Sequence, residues 1–255
     1  MDLLLPDWPA PAKVRALMSL RDGGVSAAPY DSLNLGDHVG DDGAAVQRNR
    51  ALLAQQLGAA PVFMQQVHGT AVETLPGPHA MPGPVLVADA CMSLQPGLAC
   101  TIMVADCLPV LFCDTEGRAV AAAHAGWRGL AAGVLEQTLG SLRRAVPQAQ
   151  WLAWLGPCIG PTAFEVGDEV RSAFVAQSAA AADCFRAHTA GKWLADLPAL
   201  ARLRLAALGL QGVHGNDSSA PWCTVTNPSR FFSHRRDRVS GRMAACIWLV
   251  DGGLA

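Results

Sequence analysis

AVAAAHAGWRGLAAG, residues 119–133, is the stretch of this 255-residue chain that decides the fold. Its small apolar residues predict a buried strand that ends at His124, and a helical pattern begins just after Arg128. A strand followed by a helix is the repeating unit of α/β proteins, which carry their chemistry at the carboxyl ends of strands. The plain alternative is a core histidine followed by a surface arginine.

Composition and charge narrow the class of protein. Hydrophobic residues make up 51% of the chain and charged residues 16%, against roughly 25% charged residues in typical soluble domains. This predicts a large core with a sheet buried on both faces. A formal net charge of −2 without a basic patch argues against nucleic-acid or membrane-surface partners. No apolar run suits a membrane span or a signal peptide, so we expect a cytoplasmic protein. The sequence shows no internal repeat, heptad run or linker of domain-boundary length, so we expect one domain over residues 1–255.

Eight cysteines are spread along the chain without a C-x-x-C pair, and most lie in apolar runs. That distribution is typical of small buried side chains in a reducing compartment, not of a disulfide framework. We expect at most one or two of these thiols to take part in chemistry.

Periodicity predicts strands and helices along most of the chain. Helical spacing begins at the capping residue Asp42 and ends at Gly58, and Pro198 should start or kink the last long helix. The other predicted helices cover residues 129–145, 166–177 and 193–210. The predicted strands cover residues 14–20, 61–75 (around a turn), 85–90, 98–105, 109–113, 118–124, 151–156 and 244–250.

Two predicted loops separate these elements. The first runs from Arg21 to the helix near Asp42 and is rich in Gly, Asp, Asn and Ser; the second, residues 76–84, is rich in Pro and Gly. Long loops in compact domains are usually functional or mobile. Arg21, Asn34 and His38 are therefore available to line a site.

Three polar residues, His68, Cys107 and His124, end or interrupt strand patterns. Their wide separations do not match a zinc finger, so their chemistry carries the argument. Two imidazoles and one thiolate leave tetrahedral Zn²⁺ with an open fourth position, which is the catalytic arrangement. Such a metal lowers the pKa of bound water to about 7 and polarises carbonyl or phosphoryl oxygens. The alternative is an inert buried cysteine with core histidines.

Two charged residues adjoin this trio. Asp106 precedes Cys107, and a buried carboxylate beside a metal ligand is a natural hydrogen-bond partner or proton acceptor. Arg128 precedes the predicted helix start, where backbone N–H groups favour an anion and a guanidinium adds bidentate recognition of phosphate or carboxylate. An ordinary surface salt bridge is the alternative for Arg128.

Two further motifs are open to both functional and structural interpretations. Cys158 lies in a Gly/Pro-rich turn after a strand, where a thiol is either activated or simply structural. Residues 230–242 gather five arginines around His234 and form either a phosphate-binding loop or a solvated charge run.

Several catalytic motifs are missing from the sequence. It contains no H-x-E or P-C-x-x-C of the nucleobase deaminases. It also lacks G-x-S-x-G, the P-loop and G-x-G-x-x-G. Seven histidines without an H-x-H pair are a poor supply for a site that binds several copper ions.

Five motifs, QVHGT, ADCLPVLF, HAGWRGL, GPCIG and FFSHRRD, resemble the bacterial family known as laccase-domain or multicopper polyphenol oxidases, YfiH-like proteins or peptidoglycan editing factors. The resemblance covers residues 21–249, and the ordered pair ADC and HAGWRG is highly specific. It implies an α/β (α+β) fold, a single domain with two packed mixed β-sheets flanked by helices.

The resemblance also implies site residues. The metal ligands fall on His68, Cys107 and His124, with zinc as the expected cofactor and copper as the less favoured one. The chain departs from the family pattern where His234 replaces an expected aromatic residue and Arg238 an expected glycine. The resulting catalytic set is Asp106, Cys107 and Arg128, and the substrate-binding set is Asn34, Gln66, Arg128, Cys158 and Arg235.

Members of the family include enzymes described as purine nucleoside phosphorylases that also deaminate adenosine. The resemblance therefore implies a zinc-dependent enzyme in which Arg128 holds phosphate and Asp106 or Cys107 moves a proton during deamination. One alternative is an amidase that edits a nucleotide-linked cell-wall precursor at the same metal site. Copper-dependent phenol oxidation and a non-catalytic metal- or partner-binding role are less favoured. Nucleoside and phosphate, or the cell-wall precursor, are the expected partners, with neither nucleic acid nor membrane.

Overall fold

Two mixed β-sheets lie face to face, and helices cover their outer faces. The computed structural model describes residues 1–77, 83–210 and 212–251. Residues 78–82 of the predicted loop 76–84 lie outside these ranges, as do residues 211 and 252–255 of the predicted domain. Within the described ranges, no helix is both long enough and apolar enough to cross a membrane.

The strands and helices are numbered in chain order. The strands are β1 (Leu3–Leu4), β2 (Val14–Ser19), β3 (Ala60–Val62), β4 (Val72–Thr74), β5 (Ala90–Ser93), β6 (Leu98–Val104), β7 (Leu108–Asp114), β8 (Val120–Ala125), β9 (Trp151–Leu155), β10 (Glu165–Gly167), β11 (Phe185–Ala187), β12 (Lys192–Ala195), β13 (Gly212–Gly215) and β14 (Met243–Leu249). The helices are α1 (Gly43–Leu57), α2 (Trp127–Ala132), α3 (Val134–Ala145), α4 (Asp168–Val175), α5 (Leu197–Ala207) and α6 (His234–Asp237).

Both large sheets combine parallel and antiparallel pairs. The first has the order β1-β2-β14-β6-β3, in which only β3 and β6 run parallel. The second has the order β13-β9-β7-β8-β5-β4, with parallel pairs at both edges. A small antiparallel sheet, β10-β12-β11, adjoins the second. The predicted fold of two packed mixed sheets with flanking helices is confirmed.

The core has three layers that account for the high apolar content. Met18 and Ile102 of the first sheet share a cluster with Leu111 of the second, so the sheets pack on each other. Helices α3 and α5 cover the second sheet, and α1 covers the first through Leu53. Because most strands are buried on both faces, their sequences read as continuous apolar runs.

Local signals placed several element ends correctly. The Asp42 side chain accepts a hydrogen bond from the backbone N–H of Ala45 and caps α1, and Gly58 ends that helix with φ +62°. Leu197 and Pro198 open α5, as the proline predicts.

Other boundaries differ from the predictions. The single helix predicted over 129–145 is two helices, α2 and α3, because Gly133 adopts φ +100° between them. The helices predicted over 166–177 and 193–210 each begin with strand residues, in β10 and β12. The strand predicted over 85–90 starts at Ala90 instead. Strand β13 and the small sheet were not predicted, since their short segments carry no clear periodicity.

Candidate metal centre and its cavity

Three separate segments bring the predicted ligands together. His124 is the penultimate residue of β8, His68 lies in the turn between β3 and β4, and Cys107 immediately precedes β7. One donor atom from each lies within 4.8 Å of the others, and Cys107 Sγ is 3.9 Å from His68 Nε2. The predicted trio is therefore a cluster able to hold one metal ion. Two imidazoles and a thiolate are a donor set that zinc prefers, with a fourth position left for a ligand.

A buried carboxylate, Asp89, organises two of these ligands. Its Oδ1 lies 2.8 Å from Nδ1 of His124 and accepts the backbone N–H of His68 at 2.9 Å. Its Oδ2 accepts the backbone N–H groups of Val67 and Gly69 at 3.1 and 2.6 Å. Burial raises the pKa of Asp89, but the hydrogen bonds and the charge of His124 outweigh burial and lower it. Asp89 thus holds the histidine ring and the turn around His68, where φ is +61°, in one arrangement.

Gly126 makes room for the ligands. Its φ of −63° and ψ of 156° are extended backbone that any residue adopts, so the connection from β8 to α2 does not require glycine for its conformation. A Cβ at this position would lie 2.9 Å from Cys107 Sγ and 3.1 Å from His68 Cδ2. Glycine is needed here for space beside the metal ligands.

The cluster is electrostatically coupled when it holds no metal. Burial raises the pKa of the Cys107 thiol, but the charge and hydrogen bonds of His124, with a hydrogen bond to His68, outweigh burial and lower it to about 6. Burial lowers the pKa of His124, but the Cys107 thiolate and Asp89 outweigh burial and raise it to about 9. At neutral pH the pair is therefore a thiolate beside an imidazolium, and the thiolate is the form that binds metals.

Asp106 holds the Cys107 loop in place. Its Oδ1 accepts the hydroxyl of Thr224 at 2.5 Å, and its Oδ2 accepts the backbone N–H of Arg235 at 2.6 Å. Its backbone carbonyl accepts the N–H of Ile159 at 2.9 Å. The residue has φ +90°, an unfavourable conformation that these contacts stabilise. The arrangement favours a positioning role over the proton transfer predicted for this carboxylate.

A cavity of about 220 Å³ adjoins the cluster. Ligand pockets usually measure about 300–1,000 Å³, so this cavity is smaller than most. Two aromatic rings line it, and each carries a guanidinium: Arg128 lies 4.4 Å above Trp127, and Arg235 lies 5.5 Å above Phe164. The lining set is His68, Ala105, Asp106, Cys107, Trp127, Arg128, Ile159, Phe164, Leu197, His234, Arg235 and Arg238.

Arg128 sits inside α2 and not before it. The helix begins at Trp127 and has six residues, so Arg128 lies in its first turn and not before the start of a long helix as predicted. The guanidinium itself lines the cavity, and no hydrogen-bond acceptor or carboxylate contacts it among residues 1–77, 83–210 and 212–251. The predicted proximity of Arg128 to the metal ligands is therefore observed, through its side chain.

The arginine-rich loop divides into structural and cavity-facing residues. Arg236 pairs with Asp237 and donates to the carbonyls of Thr224 and Phe231. Arg242 donates to the carbonyls of Ser240 and Gly241. By contrast, the cavity is lined by His234, Arg235 and Arg238. Arg238 keeps the φ of +62° that suits the glycine expected there.

Three predicted substrate-binding residues lie away from this cavity. Asn34 is fully buried, where its amide contacts Gly36, Asp41 and the backbone N–H of Arg242. Gln66 clamps the backbone of Met103 through both amide atoms, at 2.9 and 2.8 Å. Cys158 is fully buried, and burial raises its pKa far above that of an ordinary thiol.

The loop residues Arg21 and His38 are also outside the cavity lining. Arg21 donates to the carbonyls of Asp31 and Pro228 and ties the loop to the C-terminal segment. His38 lies beside Asp37 on a different surface.

Asp89, Trp127 and Phe164 were missed as site residues. Asp89 had a usable signal: it is a carboxylate in the apolar run VLVADA, and a buried carboxylate needs partners. Trp127 lies within the quoted HAGWRG motif, but an aromatic beside a helix start is ordinarily a core residue. Phe164 gave no signal in the sequence.

Known proteins share this sequence and fold. A family model described as multi-copper polyphenol oxidoreductase laccase matches residues 15–250. A Pseudomonas aeruginosa protein named purine nucleoside phosphorylase is 55% identical over 249 residues, which cover 97% of this chain and 98% of that protein. Purine nucleoside phosphorylase YfiH of Escherichia coli is 52% identical over 251 residues, covering 97% and 99%.

The same agreement holds for a solved structure. The crystal structure of Neisseria meningitidis protein NMB0706 has a TM-score of 0.91 and 48% sequence identity, and the match covers 98% of this chain and 100% of that one. Sequence and fold agree over nearly the full length of both proteins. The chain belongs to the multi-copper polyphenol oxidoreductase laccase family, as its motifs predict.

Proposed function

We propose that this chain is a zinc-dependent purine nucleoside phosphorylase that also deaminates adenosine. The observation that carries the proposal is one cavity lined by His68 and Cys107 of the metal-ligand cluster and by Arg128, whose guanidinium has no hydrogen-bond acceptor or carboxylate partner in the described residues. The names of the Pseudomonas and Escherichia relatives support the phosphorylase part. The deaminase part and the choice of zinc rest on the family resemblance and on the His, Cys, His donor set.

Phosphorolysis forms a bond from a phosphate oxygen to C1′ of the ribose and breaks the bond from C1′ to N9 of the purine. The departing base keeps the electron pair and takes a proton. In this proposal Arg128 binds and orients the phosphate, since a guanidinium presents two parallel donors to phosphate oxygens. Zinc held by His68, Cys107 and His124 would supply Lewis acidity to the substrate oxygens.

The two aromatic rings of the cavity suit a purine base. Trp127 and Phe164 present apolar surface on its lining, and Ile159 and Leu197 add aliphatic contacts. A planar base packs favourably against such rings, while the sugar and phosphate require the polar groups. The cavity therefore offers surface to both halves of a nucleoside substrate.

Deamination of adenosine forms a bond from a water oxygen to C6, breaks the bond from C6 to the amino nitrogen and releases ammonia; it needs no phosphate. We propose the same ligand cluster for this reaction. Asp106 is committed to Thr224 and Arg235, so in this proposal it keeps Cys107 in position. Of the two residues predicted to move the proton, Cys107 is then the better candidate.

Two other activities were considered for the same cavity. An amidase that edits a nucleotide-linked cell-wall precursor would also use a metal and an arginine, so Arg128 is compatible with it. Copper-dependent phenol oxidation needs several clustered coppers; in the part of the chain that the structure describes, one His/Cys/Asp/Glu cluster is present. The proposed partners are thus small molecules.

A thiolate ligand among eight free thiols suits the reducing cytoplasm.

Product analysis tests the proposal. Zinc-loaded protein is incubated with inosine and inorganic phosphate, with inosine alone, with adenosine alone and with a cell-wall precursor peptide. We expect phosphate-dependent release of hypoxanthine with ribose 1-phosphate, and conversion of adenosine to inosine. Release of no base in the presence of phosphate would overturn the phosphorylase proposal, and turnover of the precursor alone would establish the amidase in its place.

A further inference from the structure

The cavity carries more positive charge than one phosphate-binding arginine supplies. Arg128, Arg235 and Arg238 all line it, together with the imidazole of His234. In the described residues, the guanidinium of Arg238 and the ring of His234 contact no hydrogen-bond acceptor and no carboxylate. Arg235 is partly committed, since its Nη1 donates to the carbonyls of Ala163 and Glu165.

The lining holds three guanidinium groups and one carboxylate, that of Asp106. Asp106 directs both carboxylate oxygens to other donors, the hydroxyl of Thr224 and the backbone N–H of Arg235. Arg128 and Arg238 are exposed, so their positive charge lies on the solvent side of the cavity. An anion entering there would meet guanidinium groups whose donors are unused.

The backbone at Arg238 is strained, and this residue lines the cavity. Arg238 has φ +62° and ψ −59°, and the N–H of Val239 donates to the carbonyl of Asp237 at 2.7 Å. This is a γ-turn with a positive central φ, a rare and strained conformation that favours glycine. Residues held in such conformations concentrate at ligand-binding positions.

We propose that Arg238 binds a phosphoryl group together with Arg128, as a residue of the anion subsite of this cavity. The ligand is either free inorganic phosphate or the phosphate ester of a phosphorylated nucleoside, because both present the same dianionic oxygens. The inference deepens the proposed function and rests on it for the identity of the substrate. Each guanidinium presents two parallel N–H donors, and such a pair of donors binds a phosphoryl group in a bidentate manner.

Direct binding to zinc-loaded protein tests this residue without requiring turnover. Arg238→Gly removes the guanidinium and relieves the γ-turn, while Arg238→Ala removes the guanidinium and keeps the unfavourable φ. Arg230→Ala is the matched control, since Arg230 belongs to the same loop and lies outside the cavity lining. Calorimetry measures the affinities of the three variants and the parent for inorganic phosphate, adenosine and adenosine 5′-monophosphate.

We expect both Arg238 variants to bind at least one anionic ligand tenfold or more weakly than the parent, with metal content retained and Arg230→Ala unchanged. Arg238→Gly should also unfold at a higher temperature than Arg238→Ala. Weakened inorganic phosphate identifies free phosphate as the ligand. Loss of a preference for the monophosphate over adenosine identifies the ester.

Unchanged affinity for both anions in both variants would overturn the inference. A failure of the proposed function would give a different result. If the parent protein binds anions through Arg238 but cleaves no nucleoside, the anion subsite stands and the phosphorylase proposal is wrong. Conversely, active phosphorolysis with Arg238-independent phosphate binding retains the assignment and removes Arg238 from the subsite.

Discussion

Oδ1 of Asp89 lies 2.8 Å from Nδ1 of His124, and both side chains are almost completely buried. The same carboxylate accepts the backbone N–H of His68, so one residue orients two metal ligands from separate segments. With Nδ1 engaged by Asp89, Nε2 is the ring nitrogen of His124 that is left to bind a metal. Carboxylates in this position fix the tautomer and raise the basicity of a ligating histidine.

We expect Asp89→Asn to weaken zinc binding by about 10- to 100-fold, because the amide places an N–H₂ group against backbone donors. Competition with a chromophoric chelator measures the affinity. Asp114→Asn is a matched control: Asp114 is equally buried and accepts the backbone N–H groups of Arg118 and Ala119, away from the cavity. Equal loss of affinity in both variants would mean that general destabilisation, and not Asp89, controls the metal site.

Gly126→Ala tests the space beside the ligands. The new Cβ would lie 2.9 Å from Cys107 Sγ, while the backbone at Gly126 tolerates alanine. We expect a folded protein with reduced zinc occupancy, because the ligands must shift by several tenths of an ångström. Circular dichroism and elemental analysis check the two halves of this expectation. Gly43→Ala is the control, since a Cβ there meets no atom within 4 Å; full occupancy in Gly126→Ala would contradict the steric argument.

The sequence predicts the ligands better than the residues that orient them. His124 could be predicted because a strand pattern ends at it, and Cys107 could be predicted because it interrupts an apolar run. Asp89 acts on residues 21 and 35 positions away, and such a pairing depends on how strands are ordered in the sheet. Asn34 and Gln66 were predicted to bind substrate, but both lie outside the cavity lining, and their amide groups bind Gly36, Asp41 and Met103.

The fold shows a similar division. Strand periodicity located the central strands, since burial on both faces makes their composition unmistakable. The break at Gly133 was not located, because glycine inside an amphipathic pattern is compatible with a continuous helix; its φ of +100° decides otherwise. Short edge strands such as β13 are set by tertiary pairing with β9 and not by local preference.

Zinc affinity should depend on pH through the coupled pair Cys107 and His124. His124 has a pKa raised to about 9, so at neutral pH the metal displaces one proton from the imidazolium. Affinity should therefore rise by about tenfold per pH unit up to about pH 9 and level off above it. Below about pH 6 the Cys107 thiol must also lose its proton, which steepens the dependence to about 100-fold per unit.

Chelator competition at a series of pH values measures this dependence. The sign follows from the requirement that ligands bind metal deprotonated: acid weakens binding, and base strengthens it until His124 is neutral. Asp89→Asn removes one of the groups that raise the pKa of His124, so the plateau should begin at a lower pH in that variant. A constant affinity between neutral pH and pH 9 would contradict the thiolate–imidazolium description of the metal-free cluster.

Cys107→Ala should release most of the bound zinc and leave the chain folded, because the half-buried thiol contributes a ligand and little packing. Elemental analysis of the parent should give close to one zinc per chain, as expected for a single three-ligand cluster. Cys184→Ala is the control, since Cys184 is also a half-buried free thiol but lies outside this cavity. Full zinc content in Cys107→Ala would remove Cys107 from the site.

Arg128→Lys separates anion recognition from a surface charge. Lysine keeps the charge but loses the planar fork and the stacking over Trp127. We expect nucleoside phosphorolysis to fall by at least about tenfold, or roughly 1.4 kcal/mol of transition-state binding, with zinc and fold retained. Deamination of adenosine should fall less, since water replaces phosphate. Steady-state kcat/KM for both reactions is the measurement.

The matched control for this variant is Arg48→Lys, on the exposed side of α1 and outside the cavity lining. Equal losses of both activities in Arg128→Lys would mean that the guanidinium holds the nucleoside or supports the whole site. Unchanged phosphorolysis would leave Arg128 as a surface residue, and phosphate would then have to bind through Arg235 and Arg238. Phosphorolysis needs phosphate and deamination does not. The ratio of their kcat/KM values therefore reports on phosphate binding even if the variant lowers both values.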